Sequence, residues 1–217
     1  MREVELDGLA ALLDKPRGAK AGLVLAHGAG AGMRHAFMQE IAGVLGERSI
    51  ATLRYEFPYM TAGRARTDKP EVAEDAVHRA WLASQKFLGK LPRFAGGKSF
   101  GGRMTSRAHA AEPLADCRGL VFLGFPLHPP DKPEAAADRA EHLPRATGPM
   151  LFLQGTRDDF APLARMRPII SALGPRATLH VVEGADHGYD VLVRSGRTHY
   201  DVIAELADAI ADWILDR

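Results

Sequence analysis

The 217-residue chain contains a single cysteine, Cys117, so no disulfide can form within it, which fits a reducing compartment. Basic and acidic residues are nearly equal in number, 28 and 27, so no excess positive charge attracts nucleic acid or an acidic membrane surface. No apolar run is long enough to span a bilayer, and Met1 to Leu6 lack the apolar core of a secretory signal. We therefore expect a cytoplasmic protein that binds neither nucleic acid nor membranes.

Spacings typical of metal sites are also missing. The nine histidines include no pair at the spacing of a zinc-binding helix, and one cysteine cannot make a cysteine pair. We therefore expect no metal site.

The composition that remains is that of a globular domain. Hydrophobic residues make up 46% of the chain and charged residues 25%, and 217 residues can enclose a full core. Neither an internal repeat nor a linker interrupts the sequence. We predict one domain over residues 1–217.

Strand and helix patterns alternate along this domain. The Asp7-Gly8 pair lies between two apolar runs and predicts a β-hairpin. The continuous apolar run Ala21 to Ala26 is typical of a strand buried on both faces. Further strands and amphipathic helices follow, and the Pro-rich segment Phe125 to Pro149 is the only candidate insertion. The alternation predicts a mostly parallel central sheet with helices on both faces and no large cap domain.

The stretch Gly97-Lys-Ser-Phe-Gly101 has the pattern G-x-S-x-G. This pattern can place a serine on a sharp strand-to-helix turn, where its hydroxyl is exposed beside the first amides of the helix. The segment before Ser99 has weak strand propensity. Gly-Lys-Ser also occurs in phosphate-binding loops, but that motif needs glycine at position 92, where this chain has Pro92. A plain Gly-rich turn with a capping hydroxyl is the structural alternative.

A second turn, His27-Gly-Ala-Gly30, follows the first buried strand directly. Such a turn can point main-chain N–H groups at the serine, and the donors of an oxyanion hole would then be Ala29 and Phe100. A dinucleotide-binding loop would need glycine at position 33, which is Met33. An ordinary left-handed turn before a helix is the other alternative.

Two later loops supply an acid and a base. Asp158 and Asp159 follow a predicted strand, and both are candidates to hold a histidine in its correct tautomer. His187 lies in the short loop between the last strand and the last helix. Ser99, then the acid, then His187 is the order in which an α/β sheet of this kind carries nucleophile, acid and base. His27 and His128 lie at strand ends without the position of the base.

With these residues the chain resembles the α/β-hydrolase superfamily. It is similar to a small branch near the dienelactone-hydrolase-like proteins, which also appears as the hydrolase-like domain of some chromatin-complex subunits and testis-expressed proteins. The superfamily acid usually lies in G-x-x-D-x-x-x-P, which Gly155, Asp158 and Pro162 match, so the resemblance selects Asp158 over Asp159. The resemblance implies an α/β-hydrolase fold, Ala29 and Phe100 as oxyanion donors, and no cofactor. Further matching segments are Arg54–Met60, Gly96–Arg103, Gly124–Pro130 and Leu153–Phe160.

These patterns predict a serine hydrolase that acts on an ester or related acyl bond of a small molecule. A non-catalytic binding or scaffold domain and an acyltransferase with the same triad are the alternatives. We expect a shallow pocket lined by aromatic residues of two loops, which would suit a modestly hydrophobic substrate. The expected lining residues are Phe57, Tyr59, Phe125 and His128. The sequence predicts no oligomeric state.

Overall fold

The computed structural model describes residues 1–129, 132 and 139–217. Within them, eight strands form one sheet: β1 (Arg2–Leu6), β2 (Leu9–Asp14), β3 (Ala21–Ala26), β4 (Ile50–Tyr55), β5 (Arg93–Lys98), β6 (Cys117–Leu123), β7 (Met150–Gly155) and β8 (Ala177–Val182). The α-helices in the same residues are α1 (Ala36–Glu47), α2 (Pro58–Thr61), α3 (Pro70–Leu88), α4 (Phe100–Ala111), α5 (Leu163–Leu173) and α6 (His199–Leu215).

The strand order in the sheet is β1-β2-β4-β3-β5-β6-β7-β8. Strands β1 and β2 form the predicted hairpin, because Asp7 and Gly8 adopt the positive φ angles of +50° and +79° that its turn requires. Strand β2 is antiparallel to β4, and the strands from β4 to β8 are all parallel. The carboxyl ends of the parallel strands therefore meet at one edge of the sheet.

Both faces of the sheet are covered, as the continuous apolar run of β3 predicts. Leu23 and Leu25 belong to a core between the sheet and helices α1 and α6. Val24 and Ala26 belong to the core on the opposite face, with residues of α3, α4 and α5. The predicted architecture, a mostly parallel sheet between two layers of helices, is confirmed.

Strand β5 lies between β3 and β6 although its sequence is rich in glycine. A side chain on Gly96 would collide with the main-chain oxygen of Val121 in β6. The low strand propensity of this segment thus reflects close backbone packing, which only glycine allows.

The segment after β6 adds no large cap within the described residues. Its Leu143–Arg145 part is a short 3₁₀ helix, and the predicted insertion Phe125–Pro149 lies partly outside the described residues. Among the described helices, none combines the length and the apolar character needed to cross a bilayer.

Candidate active site

Three loops at the carboxyl edge of the sheet bring Ser99, His187 and Asp158 together. Ser99 follows β5 directly, Asp158 lies in the loop after β7, and His187 lies in the loop after β8. The Oγ atom of Ser99 is 2.9 Å from Nε2 of His187, and Nδ1 of His187 is 2.8 Å from Oδ2 of Asp158. The three side chains form a continuous hydrogen-bonded chain from carboxylate to hydroxyl.

The position of Ser99 is fixed by an unusual backbone. Its φ of +48° lies in the left-handed region, and its N–H donates to the carbonyl oxygen of Leu123 at 2.9 Å. A Cβ on Gly97 would lie 2.6 Å from the backbone of α4, and a Cβ on Gly101 would lie 2.5 Å from the carbonyl oxygen of Ala26. The turn is possible because both flanking positions lack a side chain, as the G-x-S-x-G pattern predicts.

Asp158 is held in a buried and fully hydrogen-bonded position. Its Oδ1 accepts from the main-chain N–H of Phe160 at 2.8 Å, and its Oδ2 accepts from Nε2 of Gln154 as well as facing His187. The residue is 2% exposed, whereas the other candidate acid, Asp159, is exposed. Asp158 is therefore the carboxylate that fixes the orientation of the His187 ring.

The two candidate oxyanion donors, Ala29 and Phe100, line the same pocket as Ser99. Phe100 is the first residue of α4, so its N–H has no acceptor within the helix. The turn that contains Ala29 is held by Tyr59, whose hydroxyl accepts from the N–H of Gly30 at 3.2 Å. Both residues thus border the pocket that Ser99 lines, and their role as oxyanion donors stays a prediction.

The pocket beside Ser99 has a volume of about 580 Å³. Its walls are mainly apolar, with charged side chains at intervals. The apolar side chains include Phe37, Met38, Phe100, Met104, Pro126 and Phe160, and the polar or charged ones include His35, Thr67, Asp68, Lys98, Arg103 and Arg139.

The four residues predicted to bind substrate are absent from this wall. Phe57, Tyr59 and Phe125 are fully buried, and His128 is only 5% exposed. Phe57 packs edge-on against Phe100 with ring centroids 5.3 Å apart, one layer behind the pocket. The prediction that these four side chains line the pocket is wrong, because the aromatic residues after β4 and β6 turn inward to complete the core.

Two residues next to the predicted ones line the pocket in their place. Pro126 follows Phe125 and lines the pocket, and Phe160 stacks on His128 with ring centroids 6.3 Å apart while facing His187 at 4.4 Å. His27, the other strand-end histidine, is also buried, and its Nε2 accepts the N–H of Phe57 at 3.0 Å.

Lys98 is a further site residue that the sequence pattern did not single out. Its ammonium group donates a hydrogen bond to the main-chain oxygen of His187 and lies 5.0 Å from the ring centre of Tyr189. Burial lowers the pKa of Lys98 to about 8, although the charges of Asp158 and Asp186 act in the opposite direction. The partner of Lys98 is distant in sequence, so no local signal could have revealed the contact.

The arrangement of the three side chains is suited to proton transfer. An imidazole between a carboxylate and a hydroxyl can accept the hydroxyl proton while its positive charge is stabilised by the carboxylate. Across the part of the chain that the structure describes, no three His, Cys, Asp or Glu side chains gather as a metal site would require.

Comparison with solved structures reveals many proteins of the same fold. A dienelactone hydrolase from Anabaena variabilis superposes with a TM-score of 0.76 at 19% identity, over 99% of this chain and 95% of that protein. An α/β serine hydrolase without lid from Xanthomonas campestris gives a TM-score of 0.76 at 18% identity, over 98% and 94% of the two chains. Est1E from Butyrivibrio proteoclasticus, in a structure with bound ferulic acid, gives 0.66 at 17% identity over the full length of both.

A sequence model of the α/β-hydrolase domain matches residues 19–215, which is nearly the whole chain and includes Ser99, Asp158 and His187. The resemblance inferred from the sequence is thereby confirmed at the level of the family. The protein belongs to the α/β-hydrolase domain family.

Proposed function

We propose that the protein is a serine hydrolase that cleaves an ester or related acyl bond of a small molecule. The observation that carries this proposal is the hydrogen-bonded chain from Asp158 through His187 to Ser99 at the wall of a pocket. A serine hydroxyl is a weak nucleophile until an adjacent base removes its proton, and His187 is within hydrogen-bond distance to do so.

In the proposed mechanism, His187 takes the proton of Ser99 as Oγ attacks the carbonyl carbon of the substrate. Asp158 stabilises the imidazolium that forms. The tetrahedral oxyanion accepts hydrogen bonds from the N–H groups of Ala29 and Phe100. Collapse of this intermediate expels the alcohol, which receives the proton from His187. Water then attacks the acyl-enzyme with His187 again as base, and the acid is released.

The pocket supports a substrate of small or moderate size. A volume of about 580 Å³ is in the range of small-molecule sites, and its apolar walls suit an acyl chain. Relatives with the same fold include proteins named as a dienelactone hydrolase and a serine hydrolase, which is consistent with acyl chemistry. Residues 1–217 would act as one domain in this reaction.

The experiment that tests the proposal is covalent labelling with a fluorophosphonate, followed by mass spectrometry of the modified peptide. We expect the label on Ser99, and we expect His187→Ala to abolish it. Ser106→Ala is the matched control, because Ser106 lies on the same helix but is buried away from the pocket, with its Oγ 2.7 Å from Nε2 of His142.

Folded protein that takes up no label would instead indicate a binding or scaffold domain. Labelled protein that forms a new ester when an alcohol is added, rather than a free acid, would indicate an acyltransferase.

A further inference from the structure

Arg103 lies in the pocket one helical turn after Ser99. Its N–H donates to the carbonyl oxygen of Ser99 at 3.0 Å, and its side chain is one of the groups that line the pocket. The side chain of Arg103 therefore borders the same pocket as Ser99.

The side chain of Arg103 makes no hydrogen bond or ion pair within the described part of the chain. Its Nε atom is fully buried and has no hydrogen-bond acceptor there. The negative charge of Glu74 favours the charged form of Arg103, but the Glu74 carboxylate is hydrogen-bonded to Nε of Arg107. Burial and the like charges of Arg139 and Arg107 lower the pKa of Arg103 to about 10. A buried Nε–H without an acceptor costs free energy, which an acceptor in the pocket would recover.

The other charges of the pocket are already engaged. Asp68, the pocket's carboxylate, accepts from Nη2 of Arg64 at 2.6 Å and from the N–H of Tyr59 at 2.9 Å. Lys98 donates to the main-chain oxygen of His187. Nη1 of Arg139 donates to the main-chain oxygen of His128 at 3.0 Å. Arg103 is thus the pocket cation whose side chain lacks a partner among the described residues.

We infer that the substrate carries a carboxylate in addition to the acyl bond that is cleaved, and that Arg103 binds this carboxylate. The inference rests on the proposed function, since it names the substrate class of the same site. The planar guanidinium presents parallel N–H donors that match the two oxygens of a carboxylate.

The size of the pocket limits the length of the substrate. Ser99 and Arg103 line the same space of about 580 Å³, so the reacting carbonyl and the carboxylate belong to one small molecule. The monoester of a short dicarboxylic acid has this arrangement. The apolar walls formed by Phe100 and Met104 would contact its methylene groups.

The test compares two esters of equal length, 4-nitrophenyl hydrogen glutarate and its methyl-capped counterpart, which carries no charge. For the wild type we expect kcat/KM to favour the charged ester on the order of 10- to 100-fold, the value of a charge-assisted hydrogen bond. In Arg103→Met this ratio should fall to about one, and in Arg103→Lys it should be intermediate. Arg118→Met is the matched control, because Arg118 is exposed at the amino end of β6, away from the pocket, and its ratio should equal that of the wild type.

A wild-type ratio near one, or a ratio that Arg103→Met leaves unchanged, would overturn the inference while the hydrolase function stands. Calorimetry of monomethyl glutarate binding to the Ser99→Ala variant separates the two proposals, because it needs no turnover. Binding that weakens about tenfold or more in Ser99→Ala/Arg103→Met supports the carboxylate site even if neither ester is cleaved. Absence of binding to Ser99→Ala would refute the site independently of catalysis.

Discussion

The ammonium group of Lys98 is hydrogen-bonded to the main-chain oxygen of His187, which lies 89 residues later in the chain. The residue that precedes Ser99 therefore holds the loop that carries its hydrogen-bond partner. Gly124, at the end of the intervening strand β6, leaves room for this contact, because a Cβ there would lie 3.0 Å from Nζ of Lys98. This hydrogen bond is a second link, beside that of Ser99 with His187, between the turn after β5 and the loop after β8.

Replacing Lys98 with methionine should lower kcat more than it raises KM. Loss of the tether lets the His187 loop shift, and a displacement of the order of 1 Å can cost about 100-fold in rate. Steady-state kinetics on a 4-nitrophenyl ester measure the effect. Lys90→Met removes an exposed lysine and serves as the control. A Lys98→Met enzyme with wild-type kcat would show that the tether has no role in positioning His187.

The three hydrogen-bonded side chains should behave as a unit when they are removed. We expect Ser99→Ala to reduce kcat by about 10⁶-fold, and Ser99→Ala/His187→Ala to be no slower than the single variant. Asp158→Asn should cost about 10⁴-fold, because it favours the wrong tautomer of His187. Burst and steady-state kinetics measure these values, and additive losses in the double variant would argue against a common step.

A methyl group at the strand-to-helix turn should destabilise the fold. A Cβ on Gly101 would lie 2.5 Å from the carbonyl oxygens of Ala26 and His27, so Gly101→Ala should lower the free energy of unfolding by about 2 kcal/mol or more. Gly43, within α1, has open space around it, and Gly43→Ala should raise the same quantity by about 0.5–1 kcal/mol. Urea denaturation of both variants measures these opposite changes in the free energy of unfolding. Equal changes in the two variants would contradict the packing argument.

His142 should make the stability depend on pH in mildly acidic solution. Burial, followed by the charges of Arg107, Arg103 and Arg145, lowers the pKa of His142 from 6.5 to about 4. Between these two values the unfolded chain binds a proton that the folded chain does not, so stability falls as the pH decreases from 6.5 to 4.

The shift corresponds to about 3 kcal/mol in the free energy of unfolding. Urea denaturation of the wild type and of His142→Gln at pH 6.5 and pH 4 isolates this contribution. The wild type should lose about 3 kcal/mol more than the variant. Parallel losses in the two proteins would refute the assignment.

The order of motifs along the chain predicted which loops meet. It could not predict the direction in which the side chains of those loops point. Ser99, Asp158 and His187 follow strands in a parallel sheet, so their convergence follows from topology. The loop aromatics Phe57 and Phe125 have the composition of a pocket wall, yet they complete the core. Nothing in a loop sequence distinguishes an aromatic ring that faces solvent from one that faces the sheet.

Close backbone packing also explains why local propensity is a poor guide at the turn around Ser99. Helix α4 begins at Phe100 and runs through Gly101 and Gly102, although glycine is a poor helix former. Those glycines are present because the helix crosses β3 and β5 at backbone distance. The single domain over residues 1–217 stays a prediction.

The placement of the site residues after β5, β7 and β8 makes enzymatic activity a stringent reporter of folding. A fragment that ends between β7 and β8 contains Ser99 but lacks His187. A refolding intermediate in which β8 has not yet joined the sheet contains both residues, but their hydrogen bond has not formed. Recovery of helical circular dichroism during refolding should therefore precede recovery of turnover, since pairings distant in sequence form late. The delay between the two signals would time the docking of the last strand.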